Sequence, residues 1–257
     1  MKILVTVKAY PGLGQTDGET VCVAGVRLDG ATPGWVRLWP VGFRELPASA
    51  KFHKWQVIDL AAAPSSRDMR PESHRPDLTT LTVGRRVDTK KNWSERRELL
   101  GPLLGQTTLC ALMRAQDDSR PPSLGLVKVR AGATADVVDG PVWGPEKHLL
   151  AQLNAAPHLL RDKDLAPLKP PAYQVRYQWH CMDDDCNGHQ HSSCDWEVGA
   201  AALNWRGKYP DLRVPLLQKF GAEMLDEAKD THFFVGNQHQ HPGTFMVLGS
   251  FYPKVTQ

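Results

Sequence analysis

The sequence lacks any run of about 18 consecutive apolar residues, the length that a transmembrane helix requires. It also lacks the pattern of a secretory signal, because the apolar stretch after Lys2 is short and no small-residue cleavage site follows it. Its 5 cysteines are an odd number, and three of them lie among histidines, which favours a metal in a reducing compartment over a disulfide framework. These absences predict a soluble, cytoplasmic protein with no membrane partner.

Signatures of several enzyme classes are missing as well. We find no nucleophile elbow, no dinucleotide-binding fingerprint and no kinase signature. Gly12, Gly14 and Gly18 are not followed by the Lys-Ser/Thr pair of a phosphate-binding loop. The formal net charge of +3 over 257 residues is compatible with a nucleic-acid partner but does not indicate one by itself. Function must therefore be inferred from local motifs.

The densest motif is a group of thiol and imidazole side chains between Trp179 and Glu197. Cys181, Cys186 and His189 are separated by four and then two residues, gaps short enough for one loop to surround one ion. Thiolate and imidazole are ligands that zinc favours, and a structural zinc site needs four of them. The spacing predicts a zinc site with these three residues as ligands.

The fourth ligand has three candidates. Cys194 would complete a local site that resembles a zinc knuckle, whereas His239 or His241 would join the loop to a distant segment. We favour His241, because an ion held there would close a long loop and would restrict the unfolded chain. The sequence leaves the other two candidates open.

The N-terminal region consists of short strand-like segments separated by turn-forming residues, which is typical of a small β-barrel. Within one of them, Trp35, Arg37 and Trp39 alternate, so a strand would place all three side chains on one face. Stacking of bases on aromatic rings and guanidinium groups is how OB-type barrels hold single strands. The alternative is that both tryptophans belong to the core and Arg37 forms an ion pair at its rim.

From residue 61 to residue 91 the sequence is polar and reads as a basic connector without regular structure. Arg85 and Arg86 lie in it, and they either contribute to a phosphate-binding patch or are solvated. A linker-like Gly-Pro stretch near residue 140 then divides the chain. We predict an α+β protein in which an OB-like β-barrel domain, residues 1–140, precedes a zinc-binding α+β domain, residues 141–257, that ends in a β-hairpin.

Two resemblances accompany these patterns. The segments 21–27 and 34–41 resemble the dual OB-containing domain, a bacterial arrangement, which implies a nucleic-acid-binding barrel. The C-terminal half resembles a family of uncharacterised bacterial proteins that brings no established activity but implies that the cysteine–histidine group is a unit. That resemblance is carried by Tyr177, Cys181, Cys186, Gly188, His189, the Asp-Trp-Glu of 195–197, the segment 230–236, His241-Pro242 and the segment 246–249. Family members often hold an apolar residue where this chain has Cys194, which again favours a hairpin histidine.

Three functions fit the sequence. The favoured one is a nucleic-acid-binding protein, preferably for single strands, with a structural zinc ion. The alternative is a metal-dependent hydrolase, most plausibly a nuclease, in which a carboxylate acts as general base beside the ion. Its candidate groups are Asp183, Asp184, Asp185, Asp195 and Glu197, close to His189 and His191. The third is a non-catalytic component that binds a protein partner in a larger assembly.

Overall fold

The structure is a computed structural model that describes residues 1–30, 32–157 and 164–256. These residues form a mixed α+β fold in which strands dominate. The strands are β1 Lys2–Lys8, β2 Gly12–Gly14, β3 Gly18–Arg27, β4 Gly34–Val41, β5 Gln56–Pro64, β6 Ser73–Arg86, β7 Leu124–Lys128, β8 Thr134–Asp139, β9 Tyr173–Trp179, β10 His189–Ser192, β11 His232–Asn237 and β12 Phe245–Phe251. The helices are α1 Lys90–Leu100, α2 Leu109–Arg114, α3 Pro145–Ala155, α4 Trp196–Asn204 and α5 Arg213–Leu217. None of these helices has the length and apolar character needed to cross a membrane.

The first sheet contains the strands β1 to β6 and closes on itself. Its order is β1-β5-β6-β4-β3-β2, and an additional pairing of β1 with β3 joins the ends of five of these strands into a ring. The pairings are antiparallel except for β4 with β6, which is parallel. Because side chains alternate along a strand, one face of each turns inward, and Val5, Val23, Leu38 and Ile58 are buried there. The ring therefore has an apolar core of its own.

The segment predicted to be an irregular connector contains the whole of a long strand, β6. β6 runs for 14 residues beside β5, and Leu78, Leu81 and Val83 pack against the core of the ring. The remaining side chains of the strand are polar and mostly exposed, and shifts of register between β5 and β6 interrupt the period of two. That interruption hid the strand in the sequence, and the prediction of a connector was wrong.

The other six strands form two three-stranded sheets. One has the order β12-β11-β7 and the other the order β10-β9-β8. β7 and β8 precede residue 140, yet they pair with β11 and β9, which follow it. Strand pairing thus crosses the position at which the sequence suggested a domain boundary.

A shared apolar layer joins the ring to the first of these sheets. Leu4, Val26 and Trp35 on the outside of the ring pack with Phe234 and Phe251 of the β12-β11-β7 sheet. The rings of Trp35 and Phe234 meet edge to face, with 6.1 Å between their centroids. Burial of this face fixes the position of the C-terminal sheets relative to the ring.

A buried ion pair also crosses this boundary. The Lys54 ammonium, on the loop before β5, lies 2.6 Å from the Asp195 carboxylate, and each side chain is 4% exposed. Asp195 also caps α4, because its side chain accepts a hydrogen bond from the Glu197 backbone amide. Removal of one buried partner leaves the other charged and desolvated, which costs far more than the net contribution of the intact pair.

We predict that Lys54→Met lowers the free energy of unfolding by about 3–5 kcal/mol, because the Asp195 charge is then buried alone. Addition of Asp195→Asn removes that charge and keeps the cap, so the double variant should recover part of the loss. Lys90→Met is the control, since Lys90 is 86% exposed and pairs with Asp88 on the surface. Urea unfolding measures all three, and a loss in Lys54→Met no larger than in Lys90→Met would contradict the prediction.

Candidate metal centre

Four side chains from three parts of the chain converge at one point. Cys181 and Cys186 lie in the loop after β9, His189 is the first residue of β10, and Cys110 lies on α2. Their ligand atoms are all within 4.8 Å of one another. The His189 Nε2 atom is 3.2 Å from the Cys186 sulfur and 3.4 Å from the Cys181 sulfur, and the sulfurs of Cys181 and Cys110 are 3.6 Å apart.

These distances match the space around one tetrahedral ion. An ion held at ~2.3 Å from each sulfur separates its ligand atoms by about 3.8 Å, close to what the cluster shows. Cys181 and Cys186 are buried, and His189 is half-buried. The cluster can therefore bind a metal ion through three sulfurs and one imidazole nitrogen.

The fourth position belongs to Cys110, where the sequence favoured His241. Within the described ranges, His241 is exposed in the turn between β11 and β12 and is not a member of the cluster. The other two candidates also lie elsewhere: the Cys194 sulfur contacts the Met246 sulfur at 3.5 Å, and His239 Nδ1 is 3.3 Å from an Asp68 oxygen. Cys110 stands 71 residues before Cys181, so no local spacing pointed to it.

Asp183 holds the loop against the helix that carries Cys110. Thr108 caps α2 by accepting from the Ala111 amide, and its hydroxyl donates to Asp183 Oδ2 at 2.8 Å. Arg114 at the other end of α2 donates to the same oxygen at 2.7 Å. The Arg114 guanidinium and the Thr108 hydroxyl hold the pKa of the Asp183 carboxyl at about 2. Asp183 is thus an ionised structural link between the loop and α2.

The remaining carboxylates of the hydrolase interpretation are also placed. Asp184 and Asp185 are exposed in the loop, whereas Asp195 is paired with Lys54. Neither they nor Glu197 belong to the cluster of ligand atoms in the described residues. The structure therefore brings together the predicted ligands Cys181, Cys186 and His189 but does not bring the acids to them.

The entry into β10 depends on a glycine. Gly188 has a φ of +98°, and a Cβ atom there would lie 3.1 Å from the His180 ring. This turn delivers His189 to the cluster, where the buried ring of Trp179 packs beside the imidazole with 5.0 Å between centroids. Trp179 also donates through Nε1 to His191 at 3.3 Å, so His191 supports the aromatic wall of the site.

The thiols of the cluster differ in acidity. Burial raises the pKa of Cys181, but a backbone hydrogen bond at Cys110 and the His189 side chain outweigh it and lower this pKa to about 6. Burial and the adjacent Cys181 sulfur raise the pKa of Cys110 to about 12. A thiolate is the form that ligates metal, and the hydrogen bonds to the Cys181 sulfur favour that form.

The residues predicted for nucleic-acid binding divide into three groups. Trp35 packs into the shared apolar layer, and Arg37 is 3% exposed, so Arg37 is buried rather than paired at a rim as the alternative interpretation expected. Trp39 is half-buried and faces a cleft. Arg85 and Arg86 are exposed at the far end of β6, where Arg85 forms an ion pair with Glu95.

The cleft is the open remainder of the face that carries Trp35, Arg37 and Trp39. It has a volume of about 670 Å³ and lies between the loop after β1, the loop before β6 and the β11–β12 turn. Tyr10, Trp39, Arg67, Arg70 and His239 contribute to its walls, and the Asp68 carboxylate, which also lines it, is paired with Arg70. An aromatic and cationic lining of this kind is suited to a planar or anionic ligand.

We predict that the purified protein contains one divalent metal ion per chain and that Cys110→Ser weakens its binding by more than about tenfold, the least expected when a ligand is lost. Cys194→Ser is the matched control, because Cys194 lies outside the cluster and contacts Met246. Elemental analysis and titration with a metal-binding dye measure the loss. Retention of the ion in Cys110→Ser together with its loss in His241→Ala would restore the hairpin histidine as the ligand.

Comparisons with known proteins give a family but no activity. A model described as Domain of unknown function (DUF8758) matches residues 1–102, and a model described as Domain of unknown function (DUF8757) matches residues 105–257. No curated protein matches the chain. One solved structure, "Structure of murine DNA binding protein bound with ds DNA", shares 10% identity over 99% of this chain and 98% of that chain, with a TM-score of 0.29, too low to bear on fold or function. Because the second model covers more than half of the chain, the protein belongs to the family described as Domain of unknown function (DUF8757).

Proposed function

We propose that this protein binds single-stranded nucleic acid through an OB-type barrel and that a zinc ion stabilises its C-terminal half. Support for the barrel comes from the ring of β1, β3, β4, β5 and β6, five strands that close around one apolar core. OB barrels are five-stranded and bind oligonucleotides on the face of their second and third strands, between the first and the last of their loops. In this ring those strands are β3 and β4.

The position of the cleft is the observation that carries the proposal. In an OB barrel the loop after the first strand and the loop between the fourth and fifth strands flank the ligand. Here the corresponding loops supply Tyr10 on one side and Arg67 and Arg70 on the other, and Trp39 of β4 lies between them. The β12-β11-β7 sheet covers the remainder of that face, so binding is confined to this cleft.

The lining offers both interactions that a single strand needs. Trp39 presents a ring on which a base can stack, and such a stack contributes ~1–3 kcal/mol whatever the base. Arg67 is 59% exposed and pairs with Asp17 only at 3.4 Å, so its guanidinium can reach a phosphate. Binding by stacking and charge gives little sequence preference and a strong dependence on salt.

The metal cluster supports zinc in a structural role. Three sulfurs and one imidazole fill a tetrahedral shell, as in structural zinc sites, whereas catalytic zinc keeps an open position. The four ligands join α2 to the β9–β10 turn, so an ion at this point holds two distant segments together. The complete shell and the engaged Asp183 make a metal-dependent hydrolase the weaker alternative.

We predict that Trp39→Ala weakens binding of a single-stranded oligonucleotide by ~1–3 kcal/mol, the value of one lost stack. Arg67→Ala should weaken it at low salt and reduce the slope of log affinity against log salt by about 1, because one phosphate contact disappears. Fluorescence anisotropy over a series of salt concentrations measures both effects.

Arg85→Ala is the charge-matched control, because it removes one exposed guanidinium at the far end of β6. It should bind like the unaltered protein. If Arg85→Ala and Arg86→Ala weaken binding while Trp39→Ala and Arg67→Ala do not, the binding surface is the exposed end of β6 and the cleft has another role.

A further inference from the structure

The floor of the cleft contains a buried arginine whose hydrogen-bonding capacity is only partly used. Arg37 donates through Nη2 to the carbonyl oxygen and the hydroxyl oxygen of Ser123, at 3.1 Å and 3.0 Å. Its Nη1 atom has the Cys22 sulfur at 3.4 Å, which is a weak acceptor. Its Nε atom is buried and has no hydrogen-bond partner among the described residues.

The charge of Arg37 is also less well compensated than that of the other arginines in the cleft. Arg70 contacts the Asp68 carboxylate at 2.6 Å, and Arg67 contacts Asp17. In the described part of the chain, no carboxylate lies within 4.0 Å of the Arg37 guanidinium. A guanidinium remains charged in any protein, so its burial without a contacting anion is costly.

The nearest acid acts through an intermediate. The Glu72 carboxylate accepts from the Ser123 amide at 2.9 Å and from the Ser123 hydroxyl at 2.8 Å, and it reaches Arg37 only across that serine. Glu72 therefore orients Ser123 and holds the guanidinium in place, while its own oxygens are occupied. Arg37 Nη1, whose acceptor is the weak Cys22 sulfur, is the donor that remains for a group entering the cleft.

We propose that Arg37 binds a phosphate monoester, the terminal phosphate of the nucleic-acid strand, at the floor of the cleft. The planar donors of a guanidinium match the oxygens of a phosphate, and desolvation strengthens such charge-assisted bonds. Arg37 is only 3% exposed, so a phosphate must enter deep into the cleft to reach it. An internal phosphodiester carries the nucleic-acid chain on both sides and cannot enter so far, whereas a terminal phosphate can be inserted from one side. The cleft volume of about 670 Å³ is in the range of ligand pockets and admits a nucleotide end.

That the phosphate belongs to a nucleic-acid strand rests on the function proposed above. The phosphate site at Arg37 does not depend on that function. The two proposals are tested separately with three internally labelled single strands. One carries a 5′-phosphate, one carries a 3′-phosphate, and one has only hydroxyl termini. We expect one phosphorylated strand to bind on the order of tenfold more tightly than the hydroxyl strand, as one charge-assisted contact implies. Arg37→Lys keeps the charge but not the planar fork and should abolish the difference, whereas Arg85→Lys should leave it intact.

Reactivity of Cys22 provides a readout that needs no variant. Cys22 is half-buried, lines the cleft and contacts Arg37, so a phosphate bound there should slow its alkylation. Mass spectrometry follows the label at Cys22 relative to cysteine-free peptides of the same digest, because Cys194 lines the same cleft and is not an independent reference. We expect protection by the phosphorylated strand, by inorganic phosphate at higher concentration, and less by the hydroxyl strand.

Each outcome separates the two proposals. Equal affinity for all three strands overturns the phosphate site and leaves nucleic-acid binding in place. Absence of binding by any strand, combined with protection of Cys22 by inorganic phosphate, supports the phosphate site and overturns nucleic acid as its source. Absence of both effects overturns both proposals.

Discussion

Burial of the outer face of the five-stranded ring is the constraint on which the other features depend. Leu4, Val26 and Trp35 are apolar and face away from the core of the ring, so they need a cover, and the β12-β11-β7 sheet provides it. The same contact encloses the Lys54–Asp195 pair and brings Ser123 to Arg37. It also leaves open the cleft that Arg37 and Trp39 of β4 line.

A metal ion would add a second constraint, of a different physical kind. In the sequence, its ligands on α2 and after β9 flank β7 and β8, one strand from each of the two C-terminal sheets. An ion at the cluster closes a loop of 71 residues in the folded chain, and a ligand set that exists only in the native state adds its binding free energy to folding. The apolar layer positions the sheets, and the ion would limit their separation.

The sequence predicted the features that depend on local spacing and missed those that depend on packing between distant segments. The gaps between Cys181, Cys186 and His189 were sufficient to group them, because one loop carries all three. Cys110 reaches them because α2 packs on the core of the C-terminal sheets and contacts Asp183, and no spacing encodes either. Alternation likewise placed Trp35, Arg37 and Trp39 on one face, but whether a face is covered or open is decided by the sheet that packs on it.

β8 at the end of the second C-terminal sheet has a consequence for self-association. Its pairing in the described residues is with β9 alone, so its outer edge presents backbone groups to any extended chain that approaches. Asp136 and Asp139 are exposed along that strand, and Asp139 is engaged by Arg213. Two copies that paired edge to edge would bring the Asp136 carboxylates close to this edge in both chains, and like charges on paired strands disfavour such pairing.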